Sequence, residues 1–334
     1  MYISAQTLDD LLMRVITALL KSKSHTEPSR GPATELTGVL LKISNPRARL
    51  SRTEGRGLLF SCIGELLWYL ARSNSLRFIS YYAPRYSLDS DDGRTLYGAY
   101  GPRLFSMRGV DQVSNVVNLL KSKPNSRRAV IQLFDAADIA KHHKEIPCTC
   151  TLQFMVRGAR LRMFTTMRSN DAFLGLPHDV FAFTMLQELI ARKLGVELGE
   201  YKHAVGSLHL YEADRKRAQR LVNEGWQTTM QPMPPMPLGD PWSSIPKVLR
   251  AESAIRRHAK IDIRKLGFDD YWGDIVRLLE IYANYKDKKS SEIARLKREM
   301  SNPVYNTYID KKERDSRKGG ARTKPTQEIL FGSK

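Results

Sequence analysis

Several short stretches carry residue types that can do covalent chemistry. In Ile146-Pro147-Cys148-Thr149-Cys150-Thr151-Leu152-Gln153-Phe154 a thiol follows a proline at the head of an alternating, strand-like run. The thiolate is the nucleophilic form of cysteine, and nearby cations favour it. Downstream, Arg168-Ser169 offers bidentate N–H donors and a hydroxyl, a sound pair for a phosphate monoester. Arg127-Arg128 follows Pro124-Asn125-Ser126 at the entry to a strand. Adjacent strand side chains face opposite ways, so these two serve one site only from a turn or across two subunits. Asp179 stands after Pro177, where a carboxylate either caps a helix or reads the edge of a base. Glu65 is the single acid of an apolar helix, surroundings that raise a carboxyl's pKa and make it a proton donor. His209 and Tyr211 alternate with leucines and can both face a sugar. A nucleophile, an anion-binding arginine and a base-reading carboxylate together point to covalent chemistry on a nucleotide.

Each residue also has a plainer reading. Cys148 and Cys150 fit as small buried apolar side chains of one strand face. Arg127-Arg128 fits a solvated basic turn, and His209 and Tyr211 a satisfied strand pair. A Cys-x-Cys metal site lacks further ligands at useful spacing, so no metal is expected.

The elements that must position these residues follow from periodicity. Thr7 to Lys21 reads as an amphipathic helix with a capping-box-like start at Thr7 and Asp10. Leu58 to Leu70, Val110 to Lys121 and Ile275 to Tyr285 also read as helices. So does Val180 to Leu194, closed by Gly195. Leu36 to Ile43 and Ala129 to Phe134 read as strands. Thr151 to Arg157 and Arg160 to Arg168 read as two strands joined by a turn around Gly158. Tyr81 to Phe105 is loop-like. Strands and helices mix without a strict βαβ rhythm, which predicts an α/β or α+β fold around a large mixed sheet. There is no Gly-x-Gly-x-x-Gly element, no phosphate loop and no internal repeat.

Met230 to Pro237 reads as a linker, and it divides residues 1–240 from an extension at 241–334. Lys286 to Lys324 is dense in Lys and Arg, with Gly319-Gly320 near its end, and reads as an exposed, partly flexible tail. The chain has 334 residues, 42% hydrophobic content and three cysteines, which suits a real core in a reducing compartment. No signal peptide or membrane span is expected, so a cytoplasmic setting is. The net charge of +19 implies attraction to phosphate without choosing its carrier.

Taken in order, these stretches resemble the thymidylate synthases and their relatives, the pyrimidine nucleotide hydroxymethylases, over roughly residues 30 to 215. The matching pieces are Glu65-Leu66-Leu67-Trp68-Tyr69-Leu70, Leu96-Tyr97-Gly98 and Pro124-Asn125-Ser126-Arg127-Arg128. Pro147-Cys148 with Gln153-Phe154 comes next, then Arg168-Ser169-Asn170-Asp171 with Leu174-Gly175-Leu176-Pro177, and last His209-Leu210-Tyr211. The resemblance implies a thymidylate synthase-like three-layer α/β fold with a helical, basic C-terminal extension. It implies that Cys148 adds to carbon 6 of a pyrimidine nucleoside monophosphate. Arg168, Ser169, Arg127, Arg128 and Arg30 would bind the phosphate, the double Arg reaching across from the partner of a homodimer. His209 and Tyr211 would hold the sugar, Glu65 and Tyr97 would handle protons and water, and Asp171 would contact the pterin. The implied co-substrate is 5,10-methylenetetrahydrofolate. The family's C-terminus folds over the folate, a part that Ile329-Leu330-Phe331 would play here.

Two departures from the thymidylate synthases stand out. Thr149 follows the nucleophile where they have His, and Asp179 stands where they have Asn. Uracil presents an N–H at ring position 3 and a carbonyl at position 4. Cytosine presents a bare nitrogen and an amino group. A carboxylate suits the amino group, and against uracil it leaves a buried mismatch of about 1–3 kcal/mol. Both departures resemble the dCMP and CMP hydroxymethylase branch, which implies 5-hydroxymethylation of a cytidine monophosphate. The near alternative is a thymidylate synthase acting on dUMP. An alternative of another class is a nucleic-acid-binding protein gripping RNA or DNA through its basic C-terminal stretch.

Overall fold

The computed structural model describes residues 1–53, 58–227, 231–259 and 261–317. Gly319-Gly320 and Ile329-Leu330-Phe331 lie outside the described residues. The chain divides into two compact units, Met1–Pro241 and one beginning at Trp242.

The first unit is built on a seven-stranded sheet. Its strands are β1 (Tyr2–Ala5), β2 (His25–Thr26), β3 (Ala33–Ile43), β4 (Val130–Gln132), β5 (Thr149–Arg157), β6 (Arg160–Asp171) and β7 (Glu197–Tyr211). The order is β1-β3-β7-β6-β5-β4, with β2 paired to β3. β1 runs parallel to β3 and β6 parallel to β7, while the other pairings are antiparallel. The sheet is thus mixed, as the sequence predicts. The turn between β5 and β6 has Gly158 at φ 56° and Ala159 at φ 54°, left-handed geometry that glycine adopts without strain.

Cross-strand register shows which side chains share a face. Ile43, Tyr201, Met163 and Phe154 lie side by side across four strands, and all are buried. Leu41, His203, Thr165 and Leu152 make the next buried row. The alternate residues Lys42, Lys202, Phe164 and Gln153 form a half-buried row on the opposite face. One polar histidine therefore sits in the middle of the apolar face.

Helices pack against these strands. α1 (Leu8–Lys21) starts where the Thr7 hydroxyl accepts from the Asp10 N–H at 3.1 Å, the predicted cap. It links the parallel strands β1 and β3. α2 (Leu59–Leu70) is buried almost all round, as its apolar composition requires. α3 (Leu76–Tyr82), a 3-10 turn at Pro84–Leu88, and α4 (Tyr100–Phe105) occupy much of the stretch expected to be loop. That expectation is corrected: the Tyr and Arg side chains that looked like loop composition pack inward from short helices. α5 (Gln112–Ser122) precedes β4. α6 (Gly175–Leu194) packs on α2, α5, β6 and β7, and ends at Gly195 with φ 68°. α7 (Glu212–Asn223) packs on α1.

The second unit is helical: α8 (Ile245–Arg256), α9 (Asp270–Lys286), α10 (Ser290–Arg298) and α11 (Asn306–Arg317). The stretch from 286 was expected to be exposed tail. Up to Arg317 it is instead folded, because Ile293, Leu296, Tyr308 and Ile309 recur at helical spacing and are buried. Among the described residues no helix is long and apolar enough to cross a membrane.

Candidate active site

A cavity of about 390 Å³ opens at the end of the sheet where β5 begins and β6 and β7 finish. Cys148 stands just before β5. Its carbonyl accepts from the Arg168 N–H at 2.9 Å, which ties the nucleophile to the end of β6. The parallel register then places Ser169 beside Ser207 and Asp171 beside His209. Sequence neighbours at strand ends thus become lining residues of one cavity.

The arginine at the thiol is well anchored. Arg168 Nε donates to the Pro147 carbonyl at 2.9 Å and Nη2 to the Ile146 carbonyl at 3.1 Å. Nη2 also stands 3.6 Å from Cys148 Sγ. Burial pushes the thiol up to about 11 and Arg168 opposes that shift. Cys150 does not line the cavity.

Glu65 points into the cavity from α2. Its Oε1 accepts from the Tyr69 hydroxyl at 2.6 Å and the Tyr86 hydroxyl at 2.7 Å. Its Oε2 is buried without a partner among the described residues. The indole N–H of Trp68, another lining residue, is in the same condition. Buried orphans of this kind mark a place for water or ligand atoms.

Asp179 lies one turn inside α6, so it is not the helix cap. The N-cap is Leu174, and Asp179 Oδ2 accepts from Asn170 Nδ2 at 2.7 Å. Burial, reinforced by the charge of Glu65, holds its carboxyl well above the usual carboxylate range. Asp171 Oδ1 accepts from the Phe173 and Leu174 N–H groups and braces the entry to α6. His209 Nδ1 faces the Ser207 carbonyl at 3.5 Å, and its ring meets Tyr211 edge-on at 4.8 Å. Arg30 lines the cavity and pairs with Asp89 at 2.6 Å.

Cys148, Glu65, Arg30, Arg168, Ser169, Asp171, Asp179, His209 and Tyr211 therefore share one cavity. Three of the expected residues do not. Arg127 and Arg128 are exposed and stand outside it. Tyr97 is the correction: its ring stacks on His143 at 3.6 Å and its hydroxyl bonds Asp138, outside the cavity. Tyr100 lines the cavity in its stead, and its hydroxyl accepts from the Thr149 N–H at 3.0 Å. Two Tyr-Gly pairs occur here, Tyr97-Gly98 and Tyr100-Gly101, and the first was read as the motif. Only the start of α4 at Tyr100 turns the second inward.

Other lining residues carried no sequence signal. Arg85 and Tyr86 come from the supposed loop. Glu145, three residues before the thiol, is pushed up to about 7 by burial and by the charge of Asp89. Gly98 donates its N–H to Glu145, and a Cβ at that position would lie 2.5 Å from Glu145 Oε2, so only glycine allows the approach.

Comparisons with known proteins give the family and the fold. The family model described as thymidylate synthase matches residues 48–248. A protein of Delftia phage PhiW-14 named deoxyuridylate hydroxymethyltransferase is 28% identical over 238 residues, 67% of this chain and 65% of the relative. One of the same name from Pseudomonas phage M6 is 35% identical over 151 residues, 44% of this chain and 43% of the relative. The chain thus spans 65% or less of the length of these two relatives. Among solved structures, the thymidylate synthase of T4 phage superposes with a TM-score of 0.56 at 22% identity, covering 64% of this chain and 81% of that one. That likeness shows a shared fold.

Proposed function

The chain belongs to the thymidylate synthase family, and from that premise we propose that it is a folate-dependent 5-hydroxymethylase of a pyrimidine nucleoside 5′-monophosphate, with cytosine the preferred base. The observation that carries the reading is Asp179, a buried carboxyl in the cavity that also holds Cys148.

Cys148 adds its sulfur to carbon 6, and carbon 5 becomes nucleophilic. Methylenetetrahydrofolate supplies a one-carbon unit at the oxidation level of formaldehyde. Carbon 5 takes that unit and loses its proton, water adds to the new carbon, and the sulfur leaves carbon 6. Nucleotide, methylenetetrahydrofolate and water give hydroxymethyl nucleotide and tetrahydrofolate, so atoms balance. The cavity fits such a co-substrate: Trp68 and Tyr86 offer aromatic surface, and Asp171 is an acceptor for ring N–H groups. Glu65, with one oxygen held by two tyrosines and the other open, is suited to hold the attacking water.

Arg168, Ser169 and Arg30 grip the phosphate, and His209 and Tyr211 the sugar. Arg127 and Arg128 serve the cavity of a second copy. Their exposure away from their own cavity supports this, as does the half-buried outer face of the sheet.

One observation favours uracil as a second reading. Burial favours the protonated form of Asp179, and a neutral carboxyl has one donor and one acceptor, the set an amide presents. The names of the two phage relatives point the same way.

Tritium release from 5-tritiated CMP, dCMP and dUMP with methylenetetrahydrofolate tests both readings. Release from CMP or dCMP, with isolation of the hydroxymethyl product, is expected. Release from dUMP alone overturns the cytosine assignment, and release from none overturns the activity. Cys148→Ser abolishes turnover, while Cys150→Ser leaves most of it.

A further inference from the structure

We propose that Tyr201, His203 and Asn170 form a buried hydrogen-bond relay that fixes which oxygen of Asp179 carries a proton, and thereby sets which pyrimidine base the cavity accepts. The inference rests on the reading of Asp179 as the contact to the base.

The relay is continuous. The Tyr201 hydroxyl stands 2.7 Å from His203 Nδ1. His203 Nε2 stands 3.1 Å from Asn170 Oδ1, and Asn170 Nδ2 stands 2.7 Å from Asp179 Oδ2. Tyr201, His203, Asn170 and Asp179 are all buried, His203 completely. Three buried polar side chains behind a buried acid are costly unless each is satisfied, so their matching order is a structural requirement. Gly175 leaves room for the last link: a Cβ there would stand 3.1 Å from Asn170 Nδ2.

The polarity follows from the donors. In the proposed relay the Tyr201 hydroxyl is the donor to Nδ1, so the single N–H of a neutral imidazole lies on Nε2. Burial pulls the His203 pKa down to about 3, which keeps the ring neutral around pH 7. Nε2–H then holds Asn170 Oδ1, and the amide cannot turn over. Asn170 therefore presents N–H to Oδ2 of Asp179, which remains an acceptor. The proton of a neutral Asp179 rests on Oδ1. Positions 3 and 4 of the pyrimidine carry acceptor then donor in cytosine, and donor then acceptor in uracil. A carboxyl with a fixed proton matches one order. Against the other it sets hydrogen against hydrogen and lone pair against lone pair. A carboxyl free to move its proton would accept both bases, so base choice lies in the residues behind Asp179 as much as in Asp179 itself. His203 and Tyr201 are positioning residues, since neither lines the cavity.

The test compares wild type, His203→Phe, His203→Gln and Tyr201→Phe. The readouts are tritium release from dCMP and dUMP and calorimetric binding of the two nucleotides without folate. Whichever base the wild type prefers, His203→Phe should lower the preference ratio at least about tenfold, the effect of one mispaired buried group. Tyr201→Phe should lower it less. His203→Gln, whose amide N–H can reach Asn170, should retain most of it. If His203→Phe fails to fold, the Tyr201→Phe and His203→Gln pair decides the matter. An unchanged ratio in the variants overturns the relay, and so does an equal loss for both nucleotides accompanied by a lower Tm. Absence of binding and turnover of both nucleotides in the wild type would overturn the reading of the site itself, a distinct result.

Discussion

Two buried acids on one helix behave in opposite ways. Glu188, toward the C-terminal end of α6, is fully paired: Oε1 accepts from Arg47 Nε at 2.8 Å and from the Met236 N–H at 3.1 Å, and Oε2 pairs with buried Arg49. Burial pushes its pKa up, but Arg49 and Arg47 outweigh that and hold it below the usual value. Asp179, in the second turn of the same helix, has the Asn170 N–H, with Arg85 favouring its charged form through space rather than through a bond. Burial and the charge of Glu65 win there, and its pKa rises. The nearby helix N-terminus favours a negative charge, yet it does not reverse the outcome. An acid paired to completion holds the fold together. An acid left with open hydrogen-bonding capacity awaits a ligand.

The largest expected effect breaks the first half of this comparison. Glu188→Gln leaves the Arg49 guanidinium buried without its counter-charge, which costs about 3–5 kcal/mol. Chemical denaturation of wild type and variant measures the loss. The sign with pH is set by the depressed pKa. The Glu188 contribution is complete above the unfolded value of 4.5 and is lost as pH falls through the folded one. The gap between the two proteins should therefore close in acid. A gap below about 1 kcal/mol at pH 7 would show that the pairing contributes little.

Asp179→Asn sharpens the other half, with a smaller effect on stability and a larger one on choice of base. An amide is neutral at every pH, so the variant should equal or exceed the wild type in stability at pH 7. The gain appears above the unfolded carboxyl's pKa, because a raised folded pKa means the native state resists ionisation. The ratio of turnover on dCMP to turnover on dUMP should move about tenfold or more toward uracil. Loss of stability with an unchanged ratio would return Asp179 to a purely structural role.

How legible the molecule was in its sequence varied with the kind of signal. The start of α1 at Thr7 and the paired strands around Gly158 are local features, fixed by capping chemistry and turn geometry, and they stand where the spacing puts them. β7 was foreseen only near His209, because its first half carries alternating Glu200, Tyr201, Lys202 and His203 that periodicity alone does not assign to a face. Cys148, Arg168 and Asp179 could be found because their residue types name their chemistry. Tyr97-Gly98 and Tyr100-Gly101 read alike in sequence, and only the fold of α4 brings Tyr100 rather than Tyr97 to the cavity. Asn170, although inside a recognised motif, gave no hint of its partner, since His203 reaches it only through the packing of β7 against β6. Arg85 and Tyr86 enter the cavity from the stretch that reads as loop, and Glu145 from a segment with no periodicity to place it.

Glu145 lies between the two extremes of α6 and provides the subtlest test. Like Asp179 it lines the cavity, and like Glu188 it has cationic company, for Arg30 and Arg103 both favour its charged form. Burial and the charge of Asp89 prevail, so its pKa rises from 4.5 to about 7. Such a group favours the folded state most below 4.5. Its contribution declines as pH rises to about 7 and is constant above. Glu145→Gln should remove that slope, so the variant gains on the wild type between these two values and keeps its advantage beyond. A Tm series from acid to mildly alkaline pH measures it. The same carboxylate, once ionised, raises the Cys148 pKa through space, so alkylation of the thiol by iodoacetamide above pH 7 should run faster in Glu145→Gln. A parallel pair of Tm curves would mean that Glu145 is as well satisfied as Glu188. An unchanged alkylation rate would mean that the acid and the thiol do not sense each other.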